Sequence, residues 1–261
     1  MTTSPELAAH PLNQVARVLT WGALGLLAYG AVSWLAAQPW FALHNIEVNS
    51  PVRHVTEAQI RLVAERKVRG TFFTVDLESV RESLEKLPWV REARVERRWP
   101  DTLVVSVVEH VPLARWNEEA LVNADGEVFV AAASGKLPSL AGPEDASVDV
   151  VEAYHRFTQM LMPLGLRVDE LRLSERRAWR MRLDSGMQLA LGREHTDERL
   201  ARFVQLYPRL FGAHPAADGP AVAAVVPVTV DLRYVDGFAV RMPDGRMPAS
   251  FAVPSVKPRS T

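Results

Sequence analysis

The chain of 261 residues contains no cysteine. That excludes a disulfide framework, a thiol nucleophile and any zinc or iron–sulfur site built on thiolates. It suits an oxidising compartment, where a stray thiol is a liability. An excess of one charge is missing too: the formal net charge is −1, so no global basic field draws the chain to nucleic acid. There is no Gly-rich phosphate loop, no Gly-x-Ser-x-Gly and no His-Glu-x-x-His, which removes the common nucleotide, serine-hydrolase and zinc-protease signatures. The seven histidines are scattered. His195 with Glu198 is a local His-x-x-acid pair that opens an amphipathic helix, where cap and dipole roles account for it. No nucleophile and base stand at a catalytic spacing along the chain, which leaves only a carboxylate pair assembled from distant positions. Neither a cofactor nor a metal is expected, and the chain does not read as an enzyme.

What is present starts with a single long apolar run. Val18 to Ala37 reads VLTWGALGLLAYGAVSWLAA without a charge; as a helix, about 20 residues span about 30 Å, the hydrocarbon thickness of a bilayer. Trp21 lies near one end, and Trp34, Trp40 and Phe41 near the other, where aromatic rings prefer the interface. Gly22, Gly25 and Gly30 add the small residues common in membrane helices. Ala31-Val32-Ser33 has the small-x-small form of a signal-peptide cleavage site, but the run is too long and the leader before it too polar for one. Arg17 and the amino terminus flank the left side, and no Lys or Arg follows on the right until Arg53. The positive-inside rule then places residues 1–17 in the cytoplasm as a tail and everything after 37 outside it.

Two soluble units follow. In the first, 41–111, Phe41 to Val48 reads as a strand, and Thr56 and Gln59 have capping-box spacing ahead of Ile60, Val63, Ala64 and Val68. Asp76 caps a second helix bearing Leu77, Val80, Leu84 and Leu87, which Pro88 stops. Strands at 90–98 and 103–111 flank the turn Trp99-Pro100-Asp101-Thr102. The order is β-α-α-β-β. Trp89 is expected against the core and Trp99 exposed; Arg91, Arg94, Arg97 and Arg98, interleaved with Glu92 and Glu96, read as a solvated strand face. In the second unit, 112–242, strands are expected at 113–116, 121–123 and 128–129, a loop at Pro138 to Pro143, and a helix from Val148 to Leu164. Further strands follow at 168–173, 179–183 and 187–191. Thr196 caps a helix with Leu200, Phe203, Val204, Tyr207 and Leu210. Gly212 to Pro220 reads as a flexible connection, and a last strand pair, 228–235 and 238–242, turns at Asp236-Gly237. Residues 243–261, rich in proline, read as a disordered tail.

Several stretches stand out in order: Gly70-Thr71-Phe72-Phe73-Thr74-Val75-Asp76-Leu77, Leu87-Pro88-Trp89-Val90 and Val95-Glu96-Arg97-Arg98-Trp99-Pro100-Asp101-Thr102-Leu103, then Arg176-Arg177-Ala178-Trp179, Leu191-Gly192-Arg193, Arg199-Leu200-Ala201-Arg202-Phe203 with Tyr207-Pro208, and Val230-Asp231-Leu232-Arg233-Tyr234. As an ordered set over residues 18 to 242 they make the chain resemble the FtsQ/DivIB family of bacterial cell-division proteins. The resemblance implies an α+β architecture: one transmembrane helix, a POTRA domain (41–111), and a mixed "β domain" (112–242) with a C-terminal edge strand. The Gly212–Pro227 connection looks longer than the family needs, and the tail aligns with nothing in it.

The resemblance further implies an inner-membrane divisome scaffold, concentrated at the septum, that links early and late division proteins. It would bind the small bitopic proteins FtsB and FtsL through the β domain and other division proteins through the POTRA domain. The last strand has no later neighbour in sequence, so it offers an edge for strand addition. The expected partner-binding set is Arg176, Arg233, Tyr234, Val235, Asp236, Gly237, Phe238 and Val240. Tyr234 would serve as aromatic anchor, with Arg176 and Arg233 meeting an acidic group of FtsB. The alternatives weighed are a POTRA-type assembly factor, which calls for a β-barrel after the POTRA unit, and an accessory protein or enzyme of the cell wall.

Overall fold

The computed structural model describes residues 9–211, 227–234 and 237–242, with residues 9–13 and 39 described by backbone alone. Two compact units divide between His110 and Val111. Helix α1 (Ala9–Ala36) opens the first. Its segment Gln14–Ala36, 23 residues of mean hydropathy 1.5, is long and apolar enough to cross a membrane. The helix begins before the apolar run at Val18, because nothing between Gln14 and Arg17 breaks it. Ala37, expected as the last membrane residue, lies one position past the helix. Two hydroxyls inside the run are satisfied within the helix: Thr20 donates to the Ala16 carbonyl at 2.8 Å and Ser33 to the Gly30 carbonyl at 3.0 Å. That is what a polar group in an apolar medium requires.

The rest of the first unit is β1 (Asn45–Val48), α2 (Glu57–Lys67), α3 (Leu77–Glu85), β2 (Val90–Arg98) and β3 (Thr102–Glu109). The sheet order is β1-β3-β2, with β1 parallel and β2 antiparallel to β3. The expected strand from Phe41 is shorter than read. Residues 39–41 form a 3-10 turn, Ala42 makes an isolated bridge to Thr71, and the ladder starts only at Asn45. The reason is local: the Phe41 carbonyl accepts Phe72 N–H at 2.7 Å, which bends the chain towards the 70–75 loop. Both helix starts follow the sequence signals. Thr56 and Gln59 form the reciprocal capping box, and the Asp76 carboxylate accepts Glu78 and Ser79 N–H. Ile60, Ala64, Val80 and Leu84 bury one face of each helix on Leu103, Val105 and Val107. Trp89 packs on this cluster but stays half-buried, stacked on the His54 ring at 3.8 Å; Trp99 is 74% exposed. The arginine face of β2 is not simply solvated, since Arg97 donates to the Val75 carbonyl at 2.7 Å and Arg98 pairs with Glu47.

In the second unit nine strands form one mixed sheet. They are β4 (Pro112–Trp116), β5 (Ala120–Asn123), β6 (Val128–Phe129), β7 (Ser139–Ala141), β8 (Val168–Leu173), β9 (Trp179–Leu183), β10 (Gln188–Gly192), β11 (Thr229–Asp231) and β12 (Ala239–Arg241), in the order β12-β11-β10-β9-β8-β7-β4-β5-β6. Helices α4 (Ser147–Leu161) and α5 (Thr196–Phe211) bury Val150, Phe157, Leu161, Leu200 and Phe203 with Leu171, Met181, Leu189 and Val230 of the sheet. β7 corrects the expectation of a loop at Pro138 to Pro143. Its three residues run parallel to both β4 and β8 and close the sheet between them. Leu140 is fully buried there, and the Asn117 side chain both donates to and accepts from the Gly142 backbone. A strand this short between prolines shows no alternation of its own. Helix α4 ends at Leu161 rather than 164, passing into a 3-10 turn that Gly165 stops with φ 68. Helix α5 begins at Thr196 itself. The residue before it, His195, supplies the carbonyl that accepts Arg199 N–H at 3.0 Å, and its ring meets Glu198 at 3.3 Å.

Candidate functional site

The last two strands are held by their apolar side. Val230 and Val240 face each other in register. Val230 is fully buried, and Val240 packs half-buried on the same core. Phe238, two residues earlier on the same face, meets Phe203 of α5 edge to face at 6.2 Å. β11 joins the sheet by parallel pairing to β10, and β12 joins β11 antiparallel. Both are three residues long, shorter than the expected 228–235 and 238–242. Among the described residues nothing pairs with the outer side of β12. The Arg241 carbonyl accepts Val228 N–H at 2.9 Å, so Arg241 turns its backbone polar groups towards β11. Alternation along an antiparallel strand then turns those of Val240 to the open edge.

Beside the edge stands a charged pair. Arg233 is exposed and donates to the Asp231 carboxylate at 2.6 and 2.8 Å. That guanidinium holds the Asp231 carboxyl below the usual carboxylate range, against the effect of partial burial, and the Arg233 pKa is raised in turn. Arg233 lies across the end of β10, where Gly192 has φ +82; a Cβ there would come within 2.8 Å of Arg199 Nη1 and 3.1 Å of Arg233 Cγ. Arg199 itself donates to the Leu191 carbonyl at 2.7 Å. Gly192 is therefore needed both for its left-handed backbone and to give two arginines room to cross it. The Leu191-Gly192-Arg193 stretch read from the sequence thus supports the position of Arg233.

Tyr234 is 57% exposed, and Gly237 and Phe238 are half-buried. Val235 and Asp236 lie outside the described residues. Arg176 is exposed in the turn between β8 and β9, with no partner among the described residues. The Leu173–Trp179 and Trp179–Gly192 pairings put that turn at the same end of the sheet as Gly192 and Arg233, about 10 Å or two strand spacings from β11. Its neighbour Arg177 is committed elsewhere, paired with Asp145 at 2.9 Å and Asp149 at 3.2 Å.

The solvent face of the sheet next to the edge is a shallow groove bordered by Glu170, Arg172, Arg180, Arg182, Asp231 and Arg233 over a floor that includes Ala190 and Gly192. Arg182 pairs with Glu170 at 2.9 Å and Asp169 at 3.3 Å; Arg172 and Arg180 face each other across β8 and β9. The sequence reading passed over these arginines. Their alternation, Arg180-x-Arg182, was visible, but which face it occupies depends on where the helices pack. Among the described residues no three His, Asp or Glu side chains gather as metal ligands.

These features define a POTRA-bearing protein with a second, open-edged sheet domain: the family model described as "POTRA domain, FtsQ-type" matches residues 41–110, and "Cell division protein FtsQ/DivIB, C-terminal" matches residues 114–247. Whole-chain comparison agrees. The chain is 42% identical over 235 residues to the cell division protein FtsQ of Nitrosospira multiformis, covering 88% of this chain and 96% of that one. It is 37% identical over 233 residues to that of Burkholderia pseudomallei, covering 88% and 91%, and 35% identical over 258 residues to that of Bordetella pertussis, covering 90% and 92%. The chain belongs to the FtsQ/DivIB family of cell-division proteins.

Proposed function

We propose that the chain is a non-catalytic divisome scaffold of the inner membrane. Helix α1 anchors it with the N-terminus in the cytoplasm and the bulk in the periplasm, at the division septum. It binds FtsB and FtsL through the β12 edge and other division proteins through the POTRA unit. The observation that carries the reading is the outer side of β12, open among the described residues, where Val240 offers its N–H and C=O beside exposed Tyr234 and Arg233. Each backbone hydrogen bond added by an extended partner contributes about 0.5–1.5 kcal/mol, so a handful supplies much of the roughly 8 kcal/mol of a micromolar complex. Surface ion pairs at Arg176 or Arg233 add only about 0–1 kcal/mol each. Partner binding should therefore rest mainly on the strand edge and Tyr234.

Calorimetric titration of the FtsB periplasmic segment into wild type, Tyr234→Ala and Val240→Pro tests this, each variant first checked by circular dichroism. Proline at 240 removes an outward N–H and leaves the β11 ladder intact. Both variants should weaken binding at least tenfold; unchanged affinity in both would place the partner elsewhere. A phosphatase fusion at the C-terminus should be active and one at the N-terminus inactive, and the reverse pattern would overturn the topology.

A further inference from the structure

Beyond helix α1, three aromatic side chains of the first unit stand exposed among the described residues: Trp40 (82%), Phe73 (54%) and Trp99 (74%). Backbone and side-chain bonds tie all three to the exit of α1. Thr71 donates its hydroxyl to the carbonyl of Ala36, the last helical residue, at 2.6 Å. Phe72 N–H bonds to the Phe41 carbonyl at 2.7 Å, and Phe73 meets the rings of Phe41 and Phe72 edge to face at 5.1 and 5.3 Å. Trp99 sits in the β2–β3 turn, and Asp101 of that turn accepts the N–H groups of His44 and Asn45, just downstream of the helix. Ahead of the Phe73 loop, Arg66, Lys67 and Arg69 are exposed and have no ion-pair partner among the described residues.

This inference rests on the proposed membrane-crossing role of α1. Gln14–Ala36 is 23 residues, about 35 Å at 1.5 Å per residue, against about 30 Å of hydrocarbon. Ala36 then lies in the interfacial layer, and a loop hydrogen-bonded to Ala36 lies there with it. Aromatic rings favour that layer, and unpaired cations favour anionic headgroups.

We propose that the Phe73 loop and the Trp99 turn form a second membrane contact. Trp40, Phe73 and Trp99 sit among the headgroups of the leaflet where α1 ends, with Arg66, Lys67 and Arg69 against lipid phosphates. The occupant is lipid because the Thr71–Ala36 bond holds the loop within reach of the spanning helix. The contact fixes how the POTRA unit stands on the membrane, which a lone helix leaves free to pivot.

The absence of cysteine permits single-site labelling of the full chain. A small polar fluorophore is placed at Arg69→Cys, at Leu27→Cys in mid-helix, and at Glu92→Cys. Glu92 is a water-exposed control: Arg97 bonds to Val75, so β2 approaches the loop at its far end, about 17 Å along the strand from Glu92. The protein is reconstituted in vesicles of equal phosphatidylcholine and phosphatidylglycerol carrying nitroxide lipids labelled at the headgroup or along the acyl chain. Headgroup nitroxide should quench the label at 69 several-fold more than the label at 92. Phe73→Ser and Trp99→Ser, each with unchanged circular dichroism and melting, should reduce that quenching. Equal quenching at 69 and 92, with Leu27 quenched by the chain nitroxide, would overturn the contact and leave the spanning helix standing. Quenching at 69 that ignores both serine variants would overturn the aromatic contact as mere proximity. Leu27 unquenched would overturn the membrane reading and this contact together.

Discussion

Glu109, the last residue of β3, tests how the first unit is closed. Its carboxylate accepts the N–H groups of Val55 at 2.8 Å, His54 at 3.0 Å and Arg53 at 3.1 Å, and it meets His54 Nδ1 at 3.1 Å. Only 11% of the side chain is exposed. The loop before α2 cannot satisfy these three donors from within, so one side chain from the end of the sheet does it. Burial alone pushes the Glu109 carboxyl up, but the N–H groups of Val55 and His54, the His54 ring and Arg53 N–H outweigh it, and the net shift is downward. Glu109→Gln keeps one acceptor, loses the charge and turns an NH₂ towards N–H donors. A hydrogen bond to a charged group is worth about 1.5–3 kcal/mol and the loop can recruit some water, so the loss should be about 2–4 kcal/mol at neutral pH. The sign with pH follows from the depressed pKa. The stabilisation is fully present above the unfolded glutamate value of about 4.3 and is lost as pH falls through the lower folded value. Urea unfolding of the segment from Phe41 onward, followed by tryptophan fluorescence at several pH values, measures both effects. The wild-type and Gln curves should converge in acid. A Gln variant within 0.5 kcal/mol of wild type at neutral pH, or a gap that does not close in acid, would refute the reasoning.

Gly192→Ala forces a side chain into a left-handed position already crossed by Arg199 and Arg233. It should cost about 1–3 kcal/mol by thermal melt and weaken the proposed FtsB binding by displacing Arg233. Trp89→Ala should cost about 1.5–3 kcal/mol, less than a fully buried tryptophan because the ring is half-buried on His54. Trp99→Ala should stay within about 0.5 kcal/mol in the segment from Phe41 onward; equal losses from the two substitutions would show the core assignment to be wrong.

Much of this was legible in local chemistry. Thr56, Gln59 and Asp76 start their helices where short polar side chains meet orphan N–H groups, and the uncharged run after Arg17 is helical as far as Ala36. Strands 168–173 and 179–183 appear where alternation placed them, because period-2 patterning survives whatever the sheet order. Errors fell where the neighbours, not the segment, decide. Residues 139–141 become a central strand only because β4 and β8 leave a gap of one strand width, and Phe41 is pulled from strand into turn by the 70–75 loop.

The candidate site divides in the same way. Residue types near the edge, Arg233, Tyr234, Phe238 and Val240, could be named from their order in the chain. Sequence alone did not show that Asp231 already holds Arg233, that Gly192 makes the space for it, or that Arg172, Arg180 and Arg182 share the solvent face beside the edge. Nor did it show that Val240, rather than Ala239, turns its backbone to the open side. Helix caps, turns and apolar periodicity are set by residues within a few positions of each other, so the chain determines them by itself. Edges, open hydrogen-bond donors and shared faces depend on which distant strand arrives alongside, and only the assembled sheet decides that.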